Sequence, residues 1–214
     1  MTKPQRLPII KLKRGKGETS IGMKDFLRES FRLKDRELAA LMKAAKEHVY
    51  EKGELAAEMG VPQTQLPILV DGLFRGFLLD REGLDITDCF VYRRGDVVMG
   101  CNEMGAPSRI SIEAVQPSRC LLLSISTVRE LMRENPVLLE IYNRQLTAAL
   151  GRHWEEKMLL HQCAAMERYQ WFLARYPGLI STVNNKHIAS FLGMTPVTLS
   201  RLRRQVREQG GGQE

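Results

Sequence analysis

Asn185-Lys186-His187-Ile188-Ala189-Ser190-Phe191-Leu192-Gly193-Met194-Thr195-Pro196-Val197-Thr198-Leu199-Ser200-Arg201-Leu202-Arg203-Arg204 is the stretch on which the reading of this chain turns. Ile188, Ala189 and Leu192 make one short apolar face, and Leu199 and Leu202 make another. Between the two, Gly193 can adopt the left-handed conformation that ends one helix and turns the chain sharply. Thr195 then supplies an N-cap oxygen and Pro196 a pre-set first helical residue, so a second helix starts directly after the turn. The small Ala189 lets the two helices cross closely, and together these features predict a helix-turn-helix.

In such a unit the N-terminal part of the second helix enters a major groove. The contact set predicted here is Thr195, Pro196, Val197, Thr198, Ser200, Arg201, Arg203 and Arg204. Arg201 is the candidate base reader, because its planar fork donates two hydrogen bonds to O6 and N7 of guanine. Thr198, Arg203 and Arg204 are assigned to phosphates, which supply affinity without sequence information. The plain alternative is a solvated basic helix end, which also suits the macrodipole.

The rest of the chain divides by pattern. Residues 1–20 carry Lys3, Arg6, Lys11, Lys13, Arg14 and Lys16 against the single acid Glu18, and read as a basic flexible arm. Asp35 to Glu47 reads as a helix, since Leu38, Leu41, Met42 and Ala45 recur at helical spacing. From Val49 to Leu123 short apolar runs alternate with Gly, Pro and Asp: Leu66–Val70, Leu73–Leu79, Ile86–Val91, Val97–Met99, Ile110–Ala114 and Leu121–Leu123. Such spacing predicts a β-sandwich or barrel, with Asp80-Arg81-Glu82-Gly83 as a hairpin tip.

Helical spacing returns after Ser126, and Pro136 suits a first helical turn. Leu139, Tyr142, Leu146, Ala149, His153, Glu156 and Leu160 then step by three and four, the seam of a coiled coil, and imply a dimerisation helix. A neighbouring stripe of Leu138, Ile141 and Ala148 is left to cover the β domain. The fold class is therefore α+β, in segments 1–20, 21–125, 126–163 and 164–214.

With a net charge of +7 over 214 residues the chain suits a polyanionic partner. No window approaches the roughly 20 apolar residues of a membrane span, and no secretory signal is evident, so a cytoplasmic location is expected. Cys89, Cys101, Cys120 and Cys163 are scattered without a CxxC pair and read as structural thiols. No metal or cofactor is expected, and a lone histidine among His48, His153, His161 and His187 is far more often a packing or surface residue than a haem ligand.

At the residues of the opening stretch the sequence resembles the Crp/Fnr family of regulators. Gly53-Glu54-Leu55, Leu66 to Gly72 with Leu73-Phe74-Arg75, Asp80 to Gly83, and Arg94-Gly95-Asp96-Val97-Val98-Met99-Gly100 resemble that family's cyclic-nucleotide-binding-like β-roll in order and spacing. The resemblance implies a homodimer with an N-terminal β-roll (double-stranded β-helix-like) effector domain, a long interfacial helix and a C-terminal domain on palindromic, double-stranded promoter DNA. It places an effector pocket at Gly100, Cys101, Asn102, Ser108 and Arg109. Members that bind cyclic AMP carry a Glu where Cys101 stands and an Arg-Ser pair where this chain has Ser108-Arg109. An arginine shifted by one residue in a strand points to the other face, so the expected effector is a small molecule other than cyclic AMP. Gly210-Gly211-Gly212 follows the second helix closely and leaves too little sequence here for a β-hairpin wing.

An enzyme is not expected: the chain has no GxSxG, phosphate loop, HExxH or dinucleotide glycine fingerprint. The competing reading is a ligand-binding module whose C-terminal helices make protein rather than DNA contacts.

Overall fold

The computed structural model describes residues 23–101 and 103–210, with the side chains of 209 and 210 excepted. The basic arm expected at 1–20 and Asn102 of the expected effector pocket lie outside the described residues. Two helices, α1 (Met23–Phe31) and α2 (Asp35–Ala44), precede β1 (Lys46–Tyr50), β2 (Leu55–Ala57), β3 (Gln65–Asp71), β4 (Phe74–Leu79), β5 (Asp85–Val91), β6 (Ser111–Ala114) and β7 (Ser118–Ser124). Six helices follow: α3 (Ile125–Glu134), α4 (Pro136–Gln162), α5 (Ala165–Arg175), α6 (Leu179–Thr182), α7 (Asn185–Phe191) and α8 (Pro196–Gly210).

The strands form two antiparallel sheets in the orders β1-β7-β3 and β2-β6-β4-β5. Between them lie Tyr50, Ala57, Leu69, Phe74, Val98, Ile112, Ala114 and Cys120. The other face of the first sheet, with Leu66, Ile68, Leu121 and Leu123, packs on α1, α2, α3 and the start of α4 through Phe26, Leu27, Leu38, Val128, Leu138 and Ile141. A sheet covered on both faces has no wet side, which is why β3 and β7 read as continuous apolar runs.

Three expectations need correction. The helix expected over Asp35–Glu47 stops at Ala44, and Lys46 and Glu47 belong to β1. Pairing decides this, for Lys46 and Glu47 lie opposite Leu122 and Leu121 of β7, and tertiary pairing outweighs local propensity. Val97–Met99 is not a strand but a single bridge between Val97 and Ile68. There the Val98 N–H donates to the Pro67 carbonyl (2.8 Å), but proline has no N–H to return. The Gln63 side-chain amide donates to the Val98 carbonyl instead (2.9 Å), so the ladder ends.

The third correction concerns α4. Leu138 and Ile141 are buried against the helical side of the first sheet, as expected, whereas Ala148 is exposed. Tyr142 packs on that same core, and Ala149, His153 and Glu156 face a cavity within the chain. The exposed large apolar residues of α4 are Val137, Leu139, Leu150, Trp154, Met158 and Leu160, with Leu150 and Trp154 at 57% and 67% exposure. A straight helix turns about 20° per heptad away from a strict seven-residue repeat, so one seam cannot keep facing one way along its length.

At the hairpin tip the Asp80 carboxylate accepts from the Glu82 and Leu84 N–H groups (2.9 and 2.8 Å), and Gly83 takes φ +79°. Beneath the tip, Arg75 on β4 is nearly enclosed and donates to Asp85 of β5 (2.9 Å), Glu113 of β6 (2.8 Å) and Thr87 (3.1 Å). One guanidinium thus ties three strands of the second sheet. Replacing Arg75 with Met should cost about 2–4 kcal/mol in chemical denaturation, because two carboxylates lose their counter-charge.

Burial pushes the Asp85 carboxyl up, but hydrogen bonds and charge from Arg75 outweigh it and hold the group below its ordinary value. A depressed carboxyl stabilises the fold fully above the unfolded value, near pH 4, and loses that contribution as the pH falls towards the folded one. Asp85→Asn should therefore flatten the decline of the thermal midpoint between about pH 5 and pH 2.

Candidate DNA-recognition site

The local chemistry of residues 184–200 builds two helices and a tight turn. The Asn184 side chain caps α7 by accepting from the Lys186 N–H (3.0 Å). At the other end the Gly193 N–H donates to Ser190 O and the Met194 N–H to Ala189 O (3.0 and 2.9 Å), while Gly193 takes φ +60°. That pair of bonds around a left-handed residue is the Schellman closure. Thr195 Oγ1 then accepts from the Thr198 N–H (3.1 Å), capping α8 with Pro196 in its first turn.

Ile188, Ala189, Leu192 and Leu199 are fully buried where α7 and α8 meet. They join Tyr169, Phe172, Tyr176, Leu179 and Val183 in one core, so α8 is held by its inner face. Thr195, Pro196, Val197, Ser200, Arg201 and Arg204 are exposed on the other side, Val197 at 64%. The Arg201 side chain enters none of the ion pairs among the described residues.

The remaining members of the set are differently occupied. Arg203 is half-buried and donates to the Asn185 side chain, Arg204 pairs with Glu208 (3.2 Å), and the Thr198 hydroxyl meets that of Thr195 (3.0 Å). Arg203 thus braces α8 against the start of α7, and an exposed Lys186 stands beside that start.

A second contact holds this unit in place, and the sequence pattern had no signal for it. Ser190 on α7 accepts from the Thr87 N–H of β5 (2.9 Å) and donates to Asp85 O (3.4 Å). On the same strand Phe90 enters the aromatic cluster of the C-terminal helices, with ring centroids 5.2 Å from Phe191, 6.1 Å from Tyr176 and 6.3 Å from Phe172. The Tyr92 hydroxyl donates to Arg175 O (2.9 Å). The helix-turn-helix is thereby seated on the edge strand of the second sheet.

The residues expected to line an effector pocket lie together in part. Arg109 N donates to Gly100 O (2.8 Å), and a side chain on Gly100 would lie 1.9 Å from Ser108 Oγ. Ser108 is buried with its hydroxyl on Ile110 O (2.6 Å), Cys101 is half-buried, and Arg109 is exposed. Neither of two cavities in the structure is lined by these residues: one lies in the helical core and the other between β5 and α4.

FixK2 from Bradyrhizobium japonicum matches with TM-score 0.68 and 26% identity, over 78% of this chain and 86% of that one. CLP of Xanthomonas campestris, described as a c-di-GMP responsive global regulator, matches with TM-score 0.67 and 12% identity, over 83% and 93%. A CooA mutant from Carboxydothermus hydrogenoformans matches with TM-score 0.64 and 20% identity, over 86% and 85%. The fold is Crp/Fnr-like. No protein-family model and no curated protein sequence matches the chain.

Gly193→Ala should destabilise the fold by about 1–2 kcal/mol, since its left-handed φ disfavours any residue with a Cβ and the new methyl meets Arg168 and Leu160 at 3.2 and 3.3 Å. Thr195→Ala should cost about 1 kcal/mol through the lost cap. Thermal unfolding followed by circular dichroism checks both.

Proposed function

We propose that this Crp/Fnr-like chain is a sequence-specific DNA-binding transcription regulator, acting as a homodimer on double-stranded promoter DNA under a small effector other than cyclic AMP. The observation that carries the reading is α8 held by its buried inner face with Arg201, Ser200 and Val197 presented outward from its first turns. FixK2 and CLP support it by fold, and CLP is itself described as a global regulator. The working division is 21–125 for the effector domain, 126–163 for linker and dimer helix, and 164–214 for the DNA-binding domain.

In this reading Arg201 reads a base, while Arg204 and Lys186 meet the backbone and Thr195 and Arg203 hold the geometry. Arg201→Ala should lose about 1–3 kcal/mol of discrimination at one base pair and leave binding to other sequences nearly unchanged. Arg204→Gln should weaken all sequences alike and reduce the slope of log K against log salt by about 1. Equilibrium binding to a selected operator and its single-base variants measures both. A flat salt response would favour C-terminal helices that bind protein instead.

The apolar residues facing outward on α4 supply the dimer surface, since exposed Leu150 and Trp154 lie one helical turn apart with Leu139 and Met158 beyond them. A second copy packing on this stripe by two-fold symmetry buries it on both chains. Leu150→Glu places a charge in that contact and should convert the dimer to a monomer at micromolar concentration, as read by analytical ultracentrifugation.

A further inference from the structure

Where β5, the segment after it and α4 converge, the chain forms a partly open cavity of about 100 Å³. Phe90, Val91, Val97, Met99 and Ala149 give it an apolar wall, into which Arg93, Asp96, Arg152, His153, Glu156 and Tyr176 bring charged and polar groups. A closed apolar void of about 150 Å³ admits benzene, so this space takes a molecule of only a few heavy atoms or the headgroup of a larger one.

The polar groups here are unequally satisfied. Asp96 accepts from the backbone N–H of Arg93 (3.2 Å), and Glu156 accepts from the Tyr176 hydroxyl (2.7 Å). The guanidiniums have less. Arg93 donates through Nε to the Tyr92 hydroxyl (3.2 Å), and neither it nor Arg152 enters any ion pair among the described residues. Burial pushes the Asp96 and Glu156 carboxyls up, outweighing the pull of Arg152 and other positive charges nearby. Arg93 and Arg152 therefore line the space with guanidinium donors of which only Arg93 Nε has a hydrogen-bond partner among the described residues, beside the Asp96 and Glu156 carboxyls. Guanidinium geometry matches the paired oxygens of a carboxylate or a phosphate.

We propose that this junction, rather than the Gly100–Arg109 segment, is the effector site, and that its ligand is a small anion bearing a carboxylate or phosphate group. The proposal rests on the reading of the chain as an effector-controlled regulator. Arg152 and Arg93 hold the anion, while His153, half exposed, turns its Nδ1 toward Glu156 (3.9 Å). Tyr176 belongs to the α5 side, and the neighbouring Tyr92 hydroxyl bonds to Arg175 O across the same joint. An anion that binds only when these walls are assembled favours the seated arrangement of the DNA-binding unit, as differential affinity requires.

Isothermal titration of the full chain with inorganic phosphate and, separately, with succinate in chloride-matched buffer tests this and tells the two anion chemistries apart. Saturable binding of at least one is expected. Arg152→Gln should weaken it by about tenfold to a hundredfold. Arg93→Gln should act in the same direction, whereas Arg36→Gln on the exposed face of α2 should not. If either cavity variant unfolds, the other decides. Absence of heat with both anions up to about 50 mM, far weaker than any useful affinity, overturns the proposal, and so does binding that the cavity variants leave unchanged. Operator binding is measured in parallel: its failure removes the regulator reading, while retained operator binding without anion binding removes this inference alone.

Discussion

Phe90 is the largest buried side chain that the β domain contributes to a core shared by the two halves of the molecule. It leaves an edge strand of the β domain and sits among Phe172, Tyr176 and Phe191, rings that otherwise belong to the C-terminal helices. Edge-on and tilted ring pairs of this kind add specific geometry to the burial of large apolar area. Leu73 reaches the same cluster from beside β4, and Ser190 fixes the height of α7 along β5 by bonding to both Asp85 and Thr87. The orientation of α8 is therefore set by the sheet it rests on as well as by the turn that precedes it.

That arrangement gives the β domain a mechanical route to α8. β5 is bound to β4 along six registered pairs and anchored beneath its hairpin by Arg75. A change that shifts β5 must either carry α7 with it or break the Ser190 contacts and open the aromatic cluster. Packed interfaces of this kind favour discrete arrangements over gradual ones. The cavity beside β5 and α4 borders the same joint through Tyr176, so the anion proposed for it would sit beside that joint.

Much of the site was legible because its causes are local. The left-handed Gly193, the Thr195 cap and the close crossing at Ala189 are each decided within a few residues, so the helix-turn-helix could be read before any coordinates. Roles along α8 were less legible: Arg203 resembles Arg201 and Arg204 in sequence, yet only the fold turns it toward Asn185. The strand runs are legible nearly in place, while Lys46 and Glu47 at the start of β1 read as helix because only pairing with a segment some seventy-five residues away makes them strand.

What the sequence determined by itself, then, is the set of features carried by short-range backbone chemistry: turns, caps, the position of α8 and the apolar runs that become sheets. Tertiary structure alone decided which faces those elements show. The faces of α4 divide between a covered side and an outward stripe only once the β domain is in place. Ser190 meets Thr87 across 103 residues of chain, and no local pattern encodes a partner at that distance. Contacts of long separation depend on how whole elements pack, and packing is a property of shape and volume that residue order specifies only through the completed fold.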